Sequence, residues 1–432
     1  MRVLAAVLLL VLIVTPVSSR AAVPLAERMT LPDGAVLLVA ERPAIPIVVI
    51  RVSVPGGSVR EPDDALGLAN LTAELLTRGT ARRSGPELDR AIEFVGGSLE
   101  AEAGRDSATV TLSVLKKDLA LGLDLLAEVL LQPTFPQDEL TRKVADIQAS
   151  LRRSEQSPEV VAGRTLGPLV APGHPYGRPP AGTVESVGKL TREQVVSFYR
   201  LHYRPDGATI VAVGDVTTSE IRQELLRRLS GWTAGTVMLP AIPRPAAVVP
   251  AEARAITRDL TQTTVLMGRP SIRQDDPDYF PLTVATYVLG GGSVSRLYTR
   301  VREERGLAYS VYSTVQPARY GATYLIALQT RTDGVAEATR LIREEMSRLG
   351  REPVSAREID LAKAYLIGSF PLRLDTSGKL ARFLSGLEEN SLGLDYPERY
   401  KERIAQVTAA DVQRVAAKYL DPSTFSSVQV GR

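Results

Sequence analysis

The chain has no cysteine and only two histidines among its 432 residues. The absence of cysteine excludes disulfides, thiolate metal sites and thiol nucleophiles. The two histidines, His174 and His202, provide no cluster of imidazoles for a zinc ion. Acidic and basic residues nearly balance, with a net charge of +3, and no dense basic run is present. We therefore expect no nucleic-acid partner.

Long apolar runs are also absent, apart from one at the N-terminus. Residues 3–14 form a run of twelve apolar residues after a positively charged start, and Thr15-Pro16 ends it. Twelve residues are too few to span a bilayer, so the pattern predicts a secretory signal peptide over residues 1–21. An uncleaved anchor is the alternative. We expect a periplasmic or secreted protein with no stable membrane span after signal cleavage.

The rest of the chain mixes strand and helix patterns. Short apolar stretches rich in β-branched residues predict strands, and stretches with apolar residues three or four positions apart predict helices. Ser84 and Glu87 have the spacing of a helix capping box. The predicted strands cover 35–40, 45–54 and a hairpin over 98–114, and the predicted helices cover 63–78, 84–95, 118–131 and 136–153. This pattern favours an α+β fold.

One pattern occurs twice. Thr191 opens a helix pattern that leads to an apolar stretch ending at Gly214, and Thr408 leads in the same way to Gly431, 217 positions later. A duplicated fold is the simplest explanation. Between the copies, residues 240–250 contain four prolines, which favour an extended linker. The predicted organisation is a signal peptide (1–21), an N-terminal domain (24–238), a linker (239–252) and a C-terminal domain (253–432).

Three segments resemble a known family. They are Gly57–Thr80 (GSVREPDDALGLANLTAELLTRGT), Pro172–Pro179 (PGHPYGRP) and Arg302–Tyr309 (REERGLAY). With the linker, they make nearly the whole chain after the signal segment similar to the pitrilysin/insulinase family of zinc peptidases. The resemblance implies two homologous halves, each a mostly antiparallel sheet backed by helices, in a clam-like arrangement.

The zinc motif of that family is degenerate here. In active members the first helix carries His-x-x-Glu-His, whose histidines bind zinc and whose Glu is the general base. The corresponding positions are Asn70, Ala73 and Glu74, and the third ligand of the family, a Glu, aligns with Asp146. Because an amide is a poor zinc ligand and Ala73 cannot accept a proton, we expect no bound metal and no hydrolytic site. Two interpretations of these positions remain: a weak cation site, or a polar helix face with Ala73 in the core.

The resemblance gives Arg302 and Tyr309 a role in another subunit's site. Active family members use an Arg and a Tyr with six residues between them, which bind the substrate carbonyl and stabilise the oxyanion. Arg302 and Tyr309 have this spacing. Two structural alternatives are open: Arg302 pairs with a neighbouring acid on a solvated helix, and Tyr309 packs in the core with Tyr312 on the opposite strand face.

Two further groups of residues have a structural and a functional interpretation. Gly290, Gly291 and Gly292 form either a flexible turn or the glycine-rich loop that the family places near the substrate entrance. His174 and His202 are interpreted as structural hydrogen-bonding residues.

The sequence therefore predicts a non-catalytic subunit of an exported zinc metalloendopeptidase complex. The resemblance implies a homologous partner subunit that carries the zinc, while this chain completes the site with Arg302 and Tyr309 and forms half of a peptide chamber. Activity would then occur only in the complex. The alternatives are a peptide-binding or structural module of the same fold without a proteolytic role, and an enzyme with an unrecognised site, which no constellation of residues supports.

Overall fold

The computed structural model describes residues 25–235 and 238–432. This part of the chain contains two β-sheets, and helices pack against both. The predicted signal peptide, residues 1–21, lies outside the described residues. The strands are β1 (Glu27–Thr30), β2 (Val36–Glu41), β3 (Ile47–Val54), β4 (Ser98–Ala103), β5 (Ala108–Leu115), β6 (Thr209–Gly214), β7 (Ala253–Thr257), β8 (Gln262–Ser271), β9 (Ala308–Pro317), β10 (Ala322–Arg331) and β11 (Ser426–Gly431).

Fourteen α-helices alternate with these strands along the described part of the chain. They are α1 (Leu68–Leu75), α2 (Gly85–Phe94), α3 (Leu119–Leu131), α4 (Gln137–Ser154), α5 (Pro158–Val170), α6 (Val184–Gly188), α7 (Arg192–His202), α8 (Thr218–Arg228), α9 (Tyr279–Gly290), α10 (Val335–Arg351), α11 (Ala356–Ser369), α12 (Ser377–Glu389), α13 (Tyr396–Gln406) and α14 (Ala409–Tyr419). The predicted α+β class is confirmed.

The two sheets share one strand order. The first is β1-β2-β6-β3-β5-β4, and the second is β7-β11-β8-β10-β9. Apart from the additional edge strand β1, the strands of the two sheets correspond one to one. Each sheet has one parallel pair, which is β2 with β6 in the first sheet and β7 with β11 in the second. The other neighbours are antiparallel. The helix and strand of the repeated sequence pattern, α7 with β6 in the first half and α14 with β11 in the second, begin 217 residues apart. The two halves are therefore structural repeats.

A glycine ends the last strand of each half for a steric reason. The φ angle is +143° at Gly214 and +154° at Gly431, a region that residues with a side chain rarely adopt. A Cβ at Gly214 would overlap the carbonyl oxygen of Ile47, and a Cβ at Gly431 would overlap the hydroxyl of Thr263. Both copies of the sequence pattern therefore end in glycine.

We expect Gly214→Ala to lower the free energy of unfolding by about 3 kcal/mol, because it adds backbone strain to a steric overlap. Urea denaturation measures the change. Gly231→Ala is the matched control, since a Cβ there meets no atom within 4 Å, and it should change stability by less than about 0.5 kcal/mol. Similar losses in both variants would contradict this account of Gly214.

The helix of the degenerate motif is shorter than predicted. The prediction of a helix over 63–78 is wrong at both ends, because α1 covers only Leu68–Leu75. Gly67 precedes it with a φ of +92°, which breaks the helical path. The predicted helix after Ser84 is confirmed as α2, where the Glu87 carboxylate accepts the backbone N–H of Ser84 at 2.8 Å.

Each half places one helix against the sheet of the other half. Helix α5 covers the second sheet, where Leu166 and Val170 pack with Leu266 and Val428. Helix α12 covers the first sheet, where its leucines join a core that includes Val211. Burying each such leucine contributes about 2 kcal/mol. This exchange of helices joins the halves.

The segment between the halves is fastened to the first half. The Nδ1 atom of His174 accepts a hydrogen bond from the backbone N–H of Tyr176 at 3.0 Å, so the ring proton is on Nε2. Nε2 lies 3.0 Å from the carbonyl oxygen of Pro243 and donates to it. His174 thus has the structural hydrogen-bonding role that its position in a Gly/Pro-rich turn suggests.

Candidate functional site

The polar residues of the degenerate zinc motif hydrogen-bond to each other on α1. Asn70 and Glu74 are one helical turn apart, and the Asn70 amide donates to the Glu74 carboxylate at 3.0 Å. Ala73, at the position of the general base, is 0% exposed and packs into the protein. The helix therefore offers no base at this position, and the oxygen of Glu74 that faces Asn70 already accepts a hydrogen bond.

A lysine from α4 contacts the motif. The Lys143 ammonium lies 3.1 Å from the second oxygen of Glu74. The residue that aligns with the third zinc ligand, Asp146, is one turn further along α4, more than half exposed, and 3.7 Å from the guanidinium of Arg142. Sequence patterns did not indicate Lys143 as part of this site, because it lies 69 positions from Glu74 and no local spacing links the two residues.

This arrangement does not fit zinc. Its donors are one amide and one carboxylate, and that carboxylate is paired with an ammonium group, whereas a zinc site uses three or four imidazole, thiolate or carboxylate ligands. Within residues 25–235 and 238–432, no group of three or more His, Cys, Asp or Glu side chains could hold a metal ion. The polar helix face with Ala73 in the core is thus the better of the two interpretations.

A buried carboxyl group holds the start of α1. The Glu61 side chain is 5% exposed overall and accepts the backbone N–H of Ala69 at 2.8 Å. Burial raises the pKa of Glu61 to about 7, against the opposing effects of the backbone donors of Ala69 and Gly67 and of the Arg178 charge. Glu61 therefore fixes the N-terminus of the motif helix, but keeping its ionised carboxylate buried lowers the free energy of unfolding at high pH.

We expect Glu61→Gln to stabilise the protein at pH 8 by up to about 3 kcal/mol and to have little effect at pH 4. The folded protein holds this proton up to about pH 7, whereas the unfolded chain loses it near pH 4.5. The folded state thus binds more protons in that interval, so stability falls as the pH rises through it. The glutamine keeps the acceptor for Ala69. Denaturant titrations at both pH values test this, and a difference independent of pH would contradict it.

Arg302 and Tyr309 lie side by side on the surface. Arg302 belongs to a π-helical segment, Tyr298–Glu303, and Tyr309 is the second residue of the edge strand β9. The guanidinium carbon is 4.8 Å from the ring centre of Tyr298 and 5.7 Å from that of Tyr309. Such contacts hold an arginine by cation–π attraction while its N–H groups stay accessible. The spacing of six residues therefore brings a fixed cation beside a phenol.

Both structural alternatives for this pair are wrong. Tyr309 is 76% exposed, so it is not a core residue. In the described part of the chain, Arg302 forms no ion pair, while its neighbours Arg300 and Arg305 pair with Glu304 and Glu337. Arg302 is thus a surface cation that pairs with no acid among the described residues.

The chain has close sequence relatives. Residues 36–181 match the profile of the insulinase family (peptidase family M16), and residues 189–366 match the profile of the peptidase M16 inactive domain. An uncharacterized zinc protease of Mycobacterium leprae is 30% identical over 399 residues, which cover 91% of this chain and 89% of the relative. The chain belongs to peptidase family M16.

Two further matches have names that describe inactive proteins. A non-peptidase homolog, YmxG of Helicobacter pylori, is 27% identical over 341 residues, which cover 78% of each protein. The crystal structure of a peptidase M16 inactive domain from Pseudomonas fluorescens has a TM-score of 0.89 and 27% identity, and the match covers 94% of this chain and 97% of that one. This chain is likewise an inactive M16 family member, since the histidines and the general base of the motif are replaced.

The glycine-rich segment has a packing role in this M16 chain. Gly290 ends α9, and a Cβ there would lie 2.6 Å from the backbone nitrogen of Ser313 on β9. A Cβ at Gly291 or Gly292 would meet Tyr287, which stacks on Tyr365 with ring centres 4.7 Å apart. Gly290 therefore lets the end of α9 approach β9, and Gly291 and Gly292 leave room for the ring of Tyr287. Their role in substrate binding remains a prediction.

The second histidine is buried at the end of α7. His202 is 4% exposed, and its pKa is lowered to about 4 by burial and by the charges of Arg60 and Arg204. It is thus neutral near pH 7, and a contact with the backbone of Pro55 opposes the shift. In the described part of this M16 chain, neither histidine belongs to a group of side chains that could hold a metal ion. Among the described residues, no helix combines the length and the apolar character that a membrane crossing requires.

Proposed function

We propose that this chain is the non-catalytic subunit of an exported zinc metalloendopeptidase complex. A homologous subunit carries the zinc, and this chain supplies Arg302 and Tyr309 to that subunit's active site and forms half of the chamber that encloses a peptide. Export follows from the predicted signal peptide, residues 1–21. The substrate is a peptide or an unfolded polypeptide.

The observation that carries the proposal is the exposed Arg302–Tyr309 pair. A guanidinium that pairs with no acid in the described part of the chain, with a phenol ring 5.7 Å away, suits an oxygen that becomes negative during attack on a carbonyl. The same chain has Ala73 and Lys143 where a zinc peptidase needs a base and open metal coordination. The pair is therefore useful only next to a site on another chain.

The edge strand supports a peptide as the ligand. Tyr309 lies on β9, which ends the second sheet and has one side without a strand neighbour among the described residues. An extended peptide can add to such an edge through backbone hydrogen bonds, which depend little on the peptide's sequence. A substrate carbonyl bound along β9 would then be near both side chains.

The experiment that tests the proposal is peptide hydrolysis by the purified chain, by a zinc-carrying M16 homologue from the same organism, and by their mixture. We expect activity only in the mixture, and loss of that activity with a chelator. Zinc-dependent hydrolysis by this chain alone would contradict the proposal. A mixture without activity, in which the chain still binds peptide, would favour the alternative of a peptide-binding module without a proteolytic role.

A further inference from the structure

A cavity of about 420 Å³ lies between α5 and the second sheet, apart from the zinc motif and from Arg302. Leu266 and Leu325 of the sheet form its floor, and Leu166 and Val170 of α5 form one wall. Pro179 and Pro180 of the segment after α5 also line it. Its size and its mixture of apolar surface with a few polar groups are those of a small-ligand site.

The cavity is open because α5 lacks a side chain there. A Cβ at Gly163 meets no atom within 4 Å, so the residue faces open space. The internal repeat provides a comparison, since α5 and α12 both have 13 residues and begin 219 positions apart. Position 382 of α12, which corresponds to Gly163, is an arginine. A long side chain is thus compatible with this helix position, and glycine leaves the space empty.

The polar groups around the cavity favour an anion. The lining includes Arg105, Arg164 and Arg178 but only one acid, Glu159. Two of the arginines have other acidic neighbours: Arg178 pairs with Asp63, and Arg164 lies 4.0 Å from Glu155.

Arg105 differs from the other two arginines. Its guanidinium donates to the carbonyl oxygen of Tyr176 at 3.2 Å and forms no ion pair with any described residue. A guanidinium has five N–H donors in a planar arrangement that matches a carboxylate. Arg105 can therefore bind a carboxylate at the mouth of an apolar cavity.

We propose that this cavity binds a carboxylate with an apolar tail, with the tail against Leu166, Leu266 and Leu325 and the carboxylate at Arg105. This chemistry has two sources: a fatty acid, or the free C-terminus of a peptide that ends in an apolar residue. The site is independent of the Arg302–Tyr309 pair, so it holds its ligand whether or not the chain assembles with a zinc-bearing subunit.

Calorimetric titration of the purified protein tests this with three probes: decanoate, the tripeptide Ala-Ala-Leu with a free carboxylate, and its C-terminal amide. We expect at least one of the two carboxylates to bind, and the amide to bind at least about tenfold more weakly than the corresponding acid. Decanoate alone would identify a fatty-acid site, and the tripeptide alone would identify a site for peptide C-termini. If neither carboxylate binds, or if the amide binds as tightly as the acid, the proposal is wrong.

Two variants locate the binding. Gly163→Leu fills the cavity and should abolish binding, while Gly368→Leu, at an exposed position of α11 with open space around its Cβ, should leave it unchanged. Arg105→Gln should weaken binding about tenfold, the usual size of one charge-assisted contact. Arg105 is exposed, so this variant should fold normally. Binding that survives Gly163→Leu would place the ligand elsewhere and overturn the proposal.

Discussion

Replacing Arg302 by alanine should lower kcat of the mixed complex by about 100-fold, the usual effect of removing one oxyanion-stabilising donor. The guanidinium is held between Tyr298 and Tyr309 and is already positioned when charge develops on the carbonyl oxygen. KM should change much less, because a neutral carbonyl gains little from a full positive charge. Steady-state kinetics with a fluorogenic peptide, with this chain in excess over its partner, separate the two parameters.

The matched control for this variant is Arg305→Ala. Arg305 lies just after the same π-helical segment, is exposed, and is 3.8 Å from Glu337, so its loss removes one surface cation without touching the proposed site. We expect kcat of this control to stay within a factor of about two. Equal activity of the Arg302 and Arg305 variants, with intact assembly shown by gel filtration, would exclude the oxyanion role.

Tyr309→Phe separates the hydroxyl of that residue from its ring. The phenyl ring keeps the cation–π contact with Arg302, so the arginine stays in place and only one hydrogen-bond donor is lost. We expect a fall in kcat of about tenfold or more. A full loss of assembly in this variant would instead indicate that the tyrosine contacts the partner structurally.

Patterns within a few neighbouring residues could be predicted from the sequence. The cap of α2 depends on Ser84 and Glu87, three positions apart, and the structure has the hydrogen bond between them. The strand that ends each half was visible because its apolar run and its terminal glycine recur at Gly214 and Gly431.

Contacts between distant segments could not be predicted in the same way. Nothing in the periodicity of α5 or α12 states which sheet each covers, because an apolar helix face fits either sheet. The late start of α1, five residues after the predicted start at position 63, depends on the left-handed Gly67 and on Glu61, which reaches Ala69 from a preceding turn. The contact between Lys143 and Glu74 joins residues 69 positions apart, and a single sequence carries no signal for such a pair.

Lys143 should determine whether a zinc site can be restored in this chain. The double substitution Asn70→His with Glu74→His recreates the paired imidazoles on α1, but the ammonium of Lys143 would still lie beside them and repel a divalent cation. Adding Lys143→Glu removes this charge and supplies a third ligand from α4, which completes the His-His-Glu set of catalytic zinc sites. We expect the triple variant to bind zinc at least about 100-fold more tightly than the double variant.

Competition with a zinc-chelating dye measures both affinities, and the matched control adds Arg142→Glu to the double variant. The substitution Arg142→Glu changes the charge by the same amount as Lys143→Glu, one residue away. The Arg142 side chain, however, pairs with Asp146 and Glu139 and not with Glu74. This control should gain less than about threefold, because exposed charges are screened by water and salt. If the double variant alone bound zinc as tightly as the triple variant, Lys143 would not be the obstacle, and Asp146 would be the third ligand, as the sequence alignment predicts. With a third ligand from either position, position 73 would still lack a base, since Ala73 is fully buried, so we expect the restored metal to remain without hydrolytic activity.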